Sequence, residues 1–219
     1  MAEMGIYEAM RTLRAVRKLK PDPIPGAVMR RVLEAASWAP TGGNRQPWRI
    51  IVVTDRAKKT RLGELYSARW SAYSKHSRSA IPASAPAEVR ARSERTLAAG
   101  DYMAAHFGTT PAIAIFCFDP AQMAITDAKQ NRPSVVGGGS VYPAVENLLL
   151  ACRAEGLGCV LTTLLCEDEL TVRELLAIPG GWYTAAAIPI GYPVGRGHGP
   201  LIRRPLEQLV FGDAWGKPL

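Results

Sequence analysis

Arg14 and Arg17 stand three residues apart in a basic stretch that also holds Arg11, Lys18 and Lys20. Two guanidiniums at that spacing can grip a phosphate and a second polar edge; a solvated surface face would carry the same residues. A second candidate is residues 40–48, Pro-Thr-Gly-Gly-Asn-Arg-Gln-Pro-Trp. Its glycines permit close backbone approach, and Asn44 and Gln46 each offer donors and an acceptor. An ordinary helix-to-strand turn has the same composition. A third set, Arg196, Arg203 and Arg204, lies in the last thirty residues. Basic clusters at the two ends of a chain can converge on one anion.

Few side chains are suited to acid–base or nucleophilic work. The phosphate-binding G-x-x-x-x-G-K-[ST] loop, a G-x-G-x-x-G between strand and helix, and the G-x-S-x-G elbow are all absent from the 219 residues. Cys117, Cys152, Cys159 and Cys166 form no C-x-x-C pair, and only His76, His106 and His198 could assist them, so no metal spacing is present. Three of these cysteines sit in apolar runs, as buried free thiols of a reducing compartment do. If the protein is an enzyme, this scarcity points to a cofactor that carries the reaction, with no catalytic side chain.

The net charge of +8 favours anionic partners. It comes without a basic recognition helix or aromatic residues interleaved with the basic ones, which argues against nucleic acid. Apolar and charged residues, at 47% and 21%, are in globular proportion, and no apolar run reaches the length of a membrane span. The N-terminal residues lack the apolar region of a signal peptide, which predicts a cytoplasmic protein. With no linker or repeat, residues 1–219 are expected to form one domain.

The elements that must position these residues follow from periodicity. A first helix is expected over 6–14. Prolines at 21, 23 and 25 forbid helix there. A second helix starts near Gly26, with Val28, Met29, Val32, Leu33 and Ala36 at helical spacing. Strands are expected at 49–55, 112–118, 158–163 and 183–190, the second buried on both faces. Pro189 demotes the last to an edge or a bulge. Residues 56–109 read as helical with a break at 77–86, residues 120–138 as irregular, and 167–177 as a further helix. A helix from Ser140, capped near Gly156, is apolar almost all round and should be central. The tail from Gly195 is too irregular to stand alone.

Five segments together resemble the nitroreductase family of FMN-dependent oxidoreductases, from about Arg11 to Phe211. They are residues 14–17 with Lys-Pro-Asp-Pro at 20–23; Ala-Ala-Ser-Trp-Ala-Pro-Thr-Gly-Gly-Asn-Arg-Gln-Pro-Trp at 35–48; Tyr-Pro-Ala-Val-Glu-Asn-Leu-Leu-Leu at 142–150; Gly-Leu-Gly-Cys-Val-Leu-Thr-Thr at 156–163; and Pro-Ile-Gly-Tyr-Pro at 189–193 with Arg-Arg-Pro-Leu at 203–206. Each is weak alone; their order and spacing carry the resemblance.

The resemblance implies an α+β fold, a central sheet flanked by helices, and an intertwined homodimer whose C-terminal arm lies on the partner. It implies FMN at the dimer interface. Arg14 and Arg17 match the family's cluster at the phosphate and pyrimidine end. Pro40, Thr41, Gly42 and Asn44, with Gln46 beside them, match the loop that reaches the flavin from the neighbouring subunit. Thr162 and Thr163 match the strand end beside the ring, and Arg203 the C-terminal phosphate-binding arginine. The family's serine is Ala15 here, which leaves only a backbone contact, and a frequent further arginine is Leu13. The implied reaction is ping-pong hydride transfer from NAD(P)H through FMN to a small acceptor such as a nitroaromatic or quinone. Alternatives within the resemblance are a flavin-binding storage or regulatory protein, a reductive dehalogenase and a flavin-fragmenting enzyme. Acceptor choice would fall to residues 64–110 and 120–138. There Tyr66, Trp70, Tyr73, Tyr102 and Phe107 could line a pocket or simply pack the helices.

Overall fold

The computed structural model describes residues 4–219. Its centre is a four-stranded antiparallel sheet of order β1-β2-β4-β3, with β1 at Trp48–Val53, β2 at Ala112–Phe118, β3 at Gly158–Cys159 and β4 at Tyr183–Gly191. The fold is α+β. β2 is buried on both faces because its alternate residues enter two different cores. Ile113, Ile115 and Cys117 pack with Leu62, Tyr66 and Trp70 of α3 (Arg56–Ser79), with Leu97 and Met103 of α4 (Ala87–His106), and with Val172 and Leu176. Ala114 and Phe116 pack on the other face with Val32 and Ala36 of α2 (Gly26–Ser37) and Val145, Leu148 and Cys152 of α5 (Tyr142–Ala154).

Three expectations are corrected. The first helix, α1, is Ile6–Thr12 and stops before Arg14. The chain then runs extended because it has edge partners. Val16 N–H donates to the Cys159 carbonyl at 2.9 Å, Lys20 N–H to Tyr192 at 2.8 Å, and Val194 N–H to Lys18 at 2.9 Å. Second, Pro189 lies in a central strand, since β4 pairs with both β2 and β3. Third, β3 covers only Gly158 and Cys159, with an isolated bridge at Thr162.

One cause links the last two. Thr162 and Ala187 exchange both backbone bonds, at 3.0 and 2.8 Å. Backbone groups two residues on along β4 therefore face the same neighbour, and there Pro189 has no N–H to donate. The β3 ladder breaks opposite the proline, and the sheet continues without it on the β2 side, where Ile113 faces Pro189.

The helical region divides where expected, α3 and α4 being separated at 80–86. The hairpin closes tightly: a Cβ built on Gly100 would lie 2.0 Å from the Trp70 ring. Trp70 Nε1 donates to Asp101 at 2.8 Å, and the Arg78 guanidinium spans Glu94 and Asp101. α6 is Glu169–Leu176, its first expected residues forming instead the end of a 3-10 turn, Leu164–Asp168. Residues 120–138 have little regular structure, although buried Asp127 organises them by accepting from Arg132 at 2.7 Å and Ser134 at 2.6 Å.

α5 is covered on one face only. Ala144, Val145, Leu148 and Cys152 are buried, whereas Leu150, Ala151 and Ala154 line a groove of about 1000 Å³ with Ile6, Ala9 and Trp38. The tail leaves Ile202, Leu206, Leu209, Trp215 and Leu219 exposed, Trp215 at 94%.

Candidate functional site

The β3 edge gathers one set of the sequence-derived candidates. Val16 N–H bonds the Cys159 carbonyl of β3, and residues 18–20 bond Tyr192 and Val194 just beyond β4, which holds the segment bearing Arg14 and Arg17 along this edge. Arg14 is exposed, and its Nη1 would lie 3.7 Å from a Cβ on Gly199, so it reaches the returning tail. Ala15 is exposed. Arg17 is half-buried near Tyr66 of α3. Burial pushes the Tyr66 phenol up, and a hydrogen bond with Thr162 and the Arg17 charge pull it partly back. Tyr66, Arg17 and Thr162 thus meet at the broken end of β3. Thr162 is 9% exposed and Thr163 open to solvent.

Arg203 lines a neighbouring cavity of about 850 Å³ with Glu8, Arg11, Arg153, Arg196 and His198. Among the described residues, none of Arg11, Arg14, Arg153, Arg196 or Arg203 has a carboxylate within 4.0 Å. Arg153 Nε donates to the Thr12 hydroxyl at 2.9 Å, and Arg203 donates only to the carbonyl of Ile202 at 3.0 Å. His198 bonds through Nε2 to the Leu157 carbonyl at 2.8 Å, while its Nδ1 is buried with no partner. Like-charged guanidiniums held together without counter-charge are stabilised by an anion.

The 40–46 loop lies elsewhere. It feeds β1, the opposite edge of the sheet, three strand spacings or roughly 14 Å from β3. One chain therefore does not bring Pro40, Thr41, Gly42, Asn44 and Gln46 to Arg14 and Arg17. Pro40, Gly42, Asn44 and Gln46 are exposed, Thr41 half-buried. The loop is nonetheless rigidly built. Asn44 and Gln46 hold φ of 54° and 49°, a left-handed backbone that costs a non-glycine residue of order 1 kcal/mol. Gln46 N–H donates to the Thr41 hydroxyl at 3.0 Å, Gln46 Nε2 to Asn44 Oδ1 at 3.1 Å, and Gly42 N–H to Ser140 Oγ at 3.2 Å. Local strain maintained on an exposed loop is characteristic of binding segments.

Of the aromatic candidates, Tyr66 and Phe107 stack with ring centroids 4.3 Å apart in the core, and Trp70 joins them. Tyr73 is half-exposed, and Tyr102 carries Lys18 over its ring at 5.4 Å. Sequence reading did not single out His198, Arg153 or Ser140 for the site. His198 alone carried a signal: one of only three histidines, it lies between two glycines in an arginine-bearing tail. Among the described residues no cluster of His, Cys, Asp or Glu could hold a metal, and no helix is long and apolar enough to cross a membrane.

A model of the nitroreductase family matches residues 10–192. The chain belongs to the nitroreductase family. It is 32% identical over 199 residues to an NADH dehydrogenase of Thermus thermophilus, covering 90% of this chain and 91% of that one. It is 31% identical over 212 residues to a 5,6-dimethylbenzimidazole synthase of Rhodobacter capsulatus, covering 96% and 94%. A solved iodotyrosine deiodinase bound to FMN and 3-iodo-L-tyrosine superposes with a TM-score of 0.65 at 22% identity, covering 92% of this chain and 94% of that one. That likeness is one of fold. This nitroreductase-family chain fits a phosphorylated flavin on its own features, since it has an uncompensated guanidinium cluster beside a half-buried arginine and a strand end. Ala15, between Arg14 and Arg17, offers no side-chain hydroxyl.

Proposed function

We propose that the protein is an FMN-dependent oxidoreductase that takes reducing equivalents from NAD(P)H and delivers them to a small acceptor, a nitroaromatic or a quinone. The observation that supports this reading is the cluster of Arg11, Arg153, Arg196 and Arg203 around one cavity with Arg14 beside it at Gly199, while the Asn44 loop stands exposed at the other sheet edge. FMN, when bound, supplies the redox chemistry, so no side-chain nucleophile is required. Arg14 and Arg203 hold its phosphate, and Ala15 offers only its backbone. Arg17 lends positive charge to the pyrimidine edge, where charge-assisted hydrogen bonds contribute about 1.5–3 kcal/mol each. Tyr66 stays protonated at neutral pH and can orient Thr162.

The working unit of this reading is a cytoplasmic homodimer of single-domain subunits. Pro40, Thr41, Gly42, Asn44 and Gln46 then meet the flavin of the partner subunit, and the half-covered face of α5 and the apolar tail are buried between the subunits. One exposed flavin face serves both substrates, which must alternate. Purified protein assayed for NADH and NADPH oxidation at several fixed acceptor concentrations should give parallel double-reciprocal lines; intersecting lines would require a separate nicotinamide site.

A second reading, that the bound flavin is itself the substrate and is fragmented, is favoured by 31% identity over nearly the whole chain to a 5,6-dimethylbenzimidazole synthase. Loss of FMN during aerobic turnover with NAD(P)H, followed by chromatography, separates the two readings.

A further inference from the structure

His198 is the one histidine the fold buries, at 7% exposure, and it forms part of the wall of the arginine-lined cavity. The charged groups facing it come from every element packed there. Glu8 and Arg11 come from α1, Arg14 from the extended edge, Arg153 from the end of α5, and Arg196 and Arg203 from the tail. With Nε2 donating to the Leu157 carbonyl, the neutral imidazole presents a bare lone pair at its buried, unpartnered Nδ1. Five guanidiniums around one carboxylate leave this region strongly positive. Burial is the largest cause that disfavours a cation on the imidazole in the free chain; the bond to the Leu157 carbonyl opposes it, and the charges of Arg153 and Arg14 add to it.

An anion in the cavity reverses that field. We propose that the cavity receives the phosphate of the flavin, that Arg153 and Arg196 join Arg14 and Arg203 in holding it in place of the hydroxyl absent at Ala15, and that His198 takes up a proton from solvent when the dianion binds. This rests on the flavin reading above and adds to it a pH-dependent control of cofactor retention. His198 acts as a positioning residue through its charge.

The sign follows from linkage. The phosphate of FMN is a dianion above about pH 7, because its second pKa is near 6. His198 is neutral there in the free chain, so binding at pH 7 to 8.5 takes up a proton, and affinity falls as pH rises, by up to about tenfold per unit. Riboflavin, which lacks the phosphate, has no such dependence.

The test is titration of the full-length, flavin-stripped protein with FMN and with riboflavin at constant ionic strength from pH 7 to 8.5. The expected result is an FMN affinity that falls several-fold across this range, a flat riboflavin affinity, loss of the FMN slope in His198→Gln, and about tenfold weaker FMN binding in Arg153→Gln with riboflavin unaffected. Should His198→Gln fail to fold, the comparison of FMN with riboflavin on the unaltered chain decides alone. An FMN affinity constant over the range, or a riboflavin slope equal to that of FMN, overturns the proposal while leaving the cofactor reading intact. A folded chain that binds neither flavin removes both.

Discussion

Replacement of Arg203 by alanine isolates the phosphate contact from the fold. Arg203 is exposed and makes a single bond within the described chain, to the carbonyl of its neighbour Ile202 at 3.0 Å. No carboxylate loses a partner and no cavity opens, so Arg203→Ala should change folding stability by no more than about 0.5 kcal/mol. A bound phosphate, by contrast, loses one or two charge-assisted bonds, worth roughly 1.5–3 kcal/mol, which raises the Kd for FMN about 10- to 150-fold. Quenching of flavin fluorescence on titration measures it, with riboflavin as the control because it lacks the phosphate. The reasoning is refuted if the FMN affinity is unchanged. It is equally refuted if riboflavin weakens as much as FMN, since the arginine would then act through the chain conformation.

Other expectations bear on different levels of the account. Ala15→Ser adds a hydroxyl at an exposed position and should tighten FMN roughly 3- to 10-fold, within the usual worth of one hydrogen bond; titration showing no gain would place the phosphate out of reach of residue 15. Gly100→Ala drives a methyl to within 2.0 Å of the Trp70 ring and should destabilise the chain by about 1–3 kcal/mol, read as a lower urea midpoint. Burial raises the Cys117 thiol to about 11, so it should resist thiol reagents at pH 8 in the folded chain. The raised value also means that its contribution to stability is complete below the ordinary thiol range, near pH 9, and is lost as pH rises towards 11. Alkaline urea titrations of the native chain and of Cys117→Ala should therefore diverge in that window.

Local physics made much of this fold legible. The spacing of Val28, Met29, Val32, Leu33 and Ala36 defines α2, and the unbroken apolar run at 112–118 is buried on both faces as β2. What resisted reading depends on partners distant in sequence. α1 ends at Thr12 because Cys159 and Tyr192 offer the following segment an edge, which no property of residues 12–14 reveals. Pro189 is tolerated centrally because only its β3 side lacks a bond, and the shortness of β3 is the consequence. In the candidate site, arginine spacing and the family segments pointed to Arg14, Arg17 and Arg203. The gathering of Arg153 and His198 with Arg203 requires the tail to return to α1 and the end of α5, a contact between residues more than 140 apart in places.

The central claim is that this chain holds FMN and is reduced by a nicotinamide. The visible spectrum of the purified full-length protein tests it most directly, recorded before and after anaerobic addition of NADH or NADPH. The account predicts a yellow protein whose spectrum bleaches on reduction and which releases one FMN per subunit when denatured. A folded chain that is colourless and stays so after incubation with excess FMN and gel filtration would contradict it.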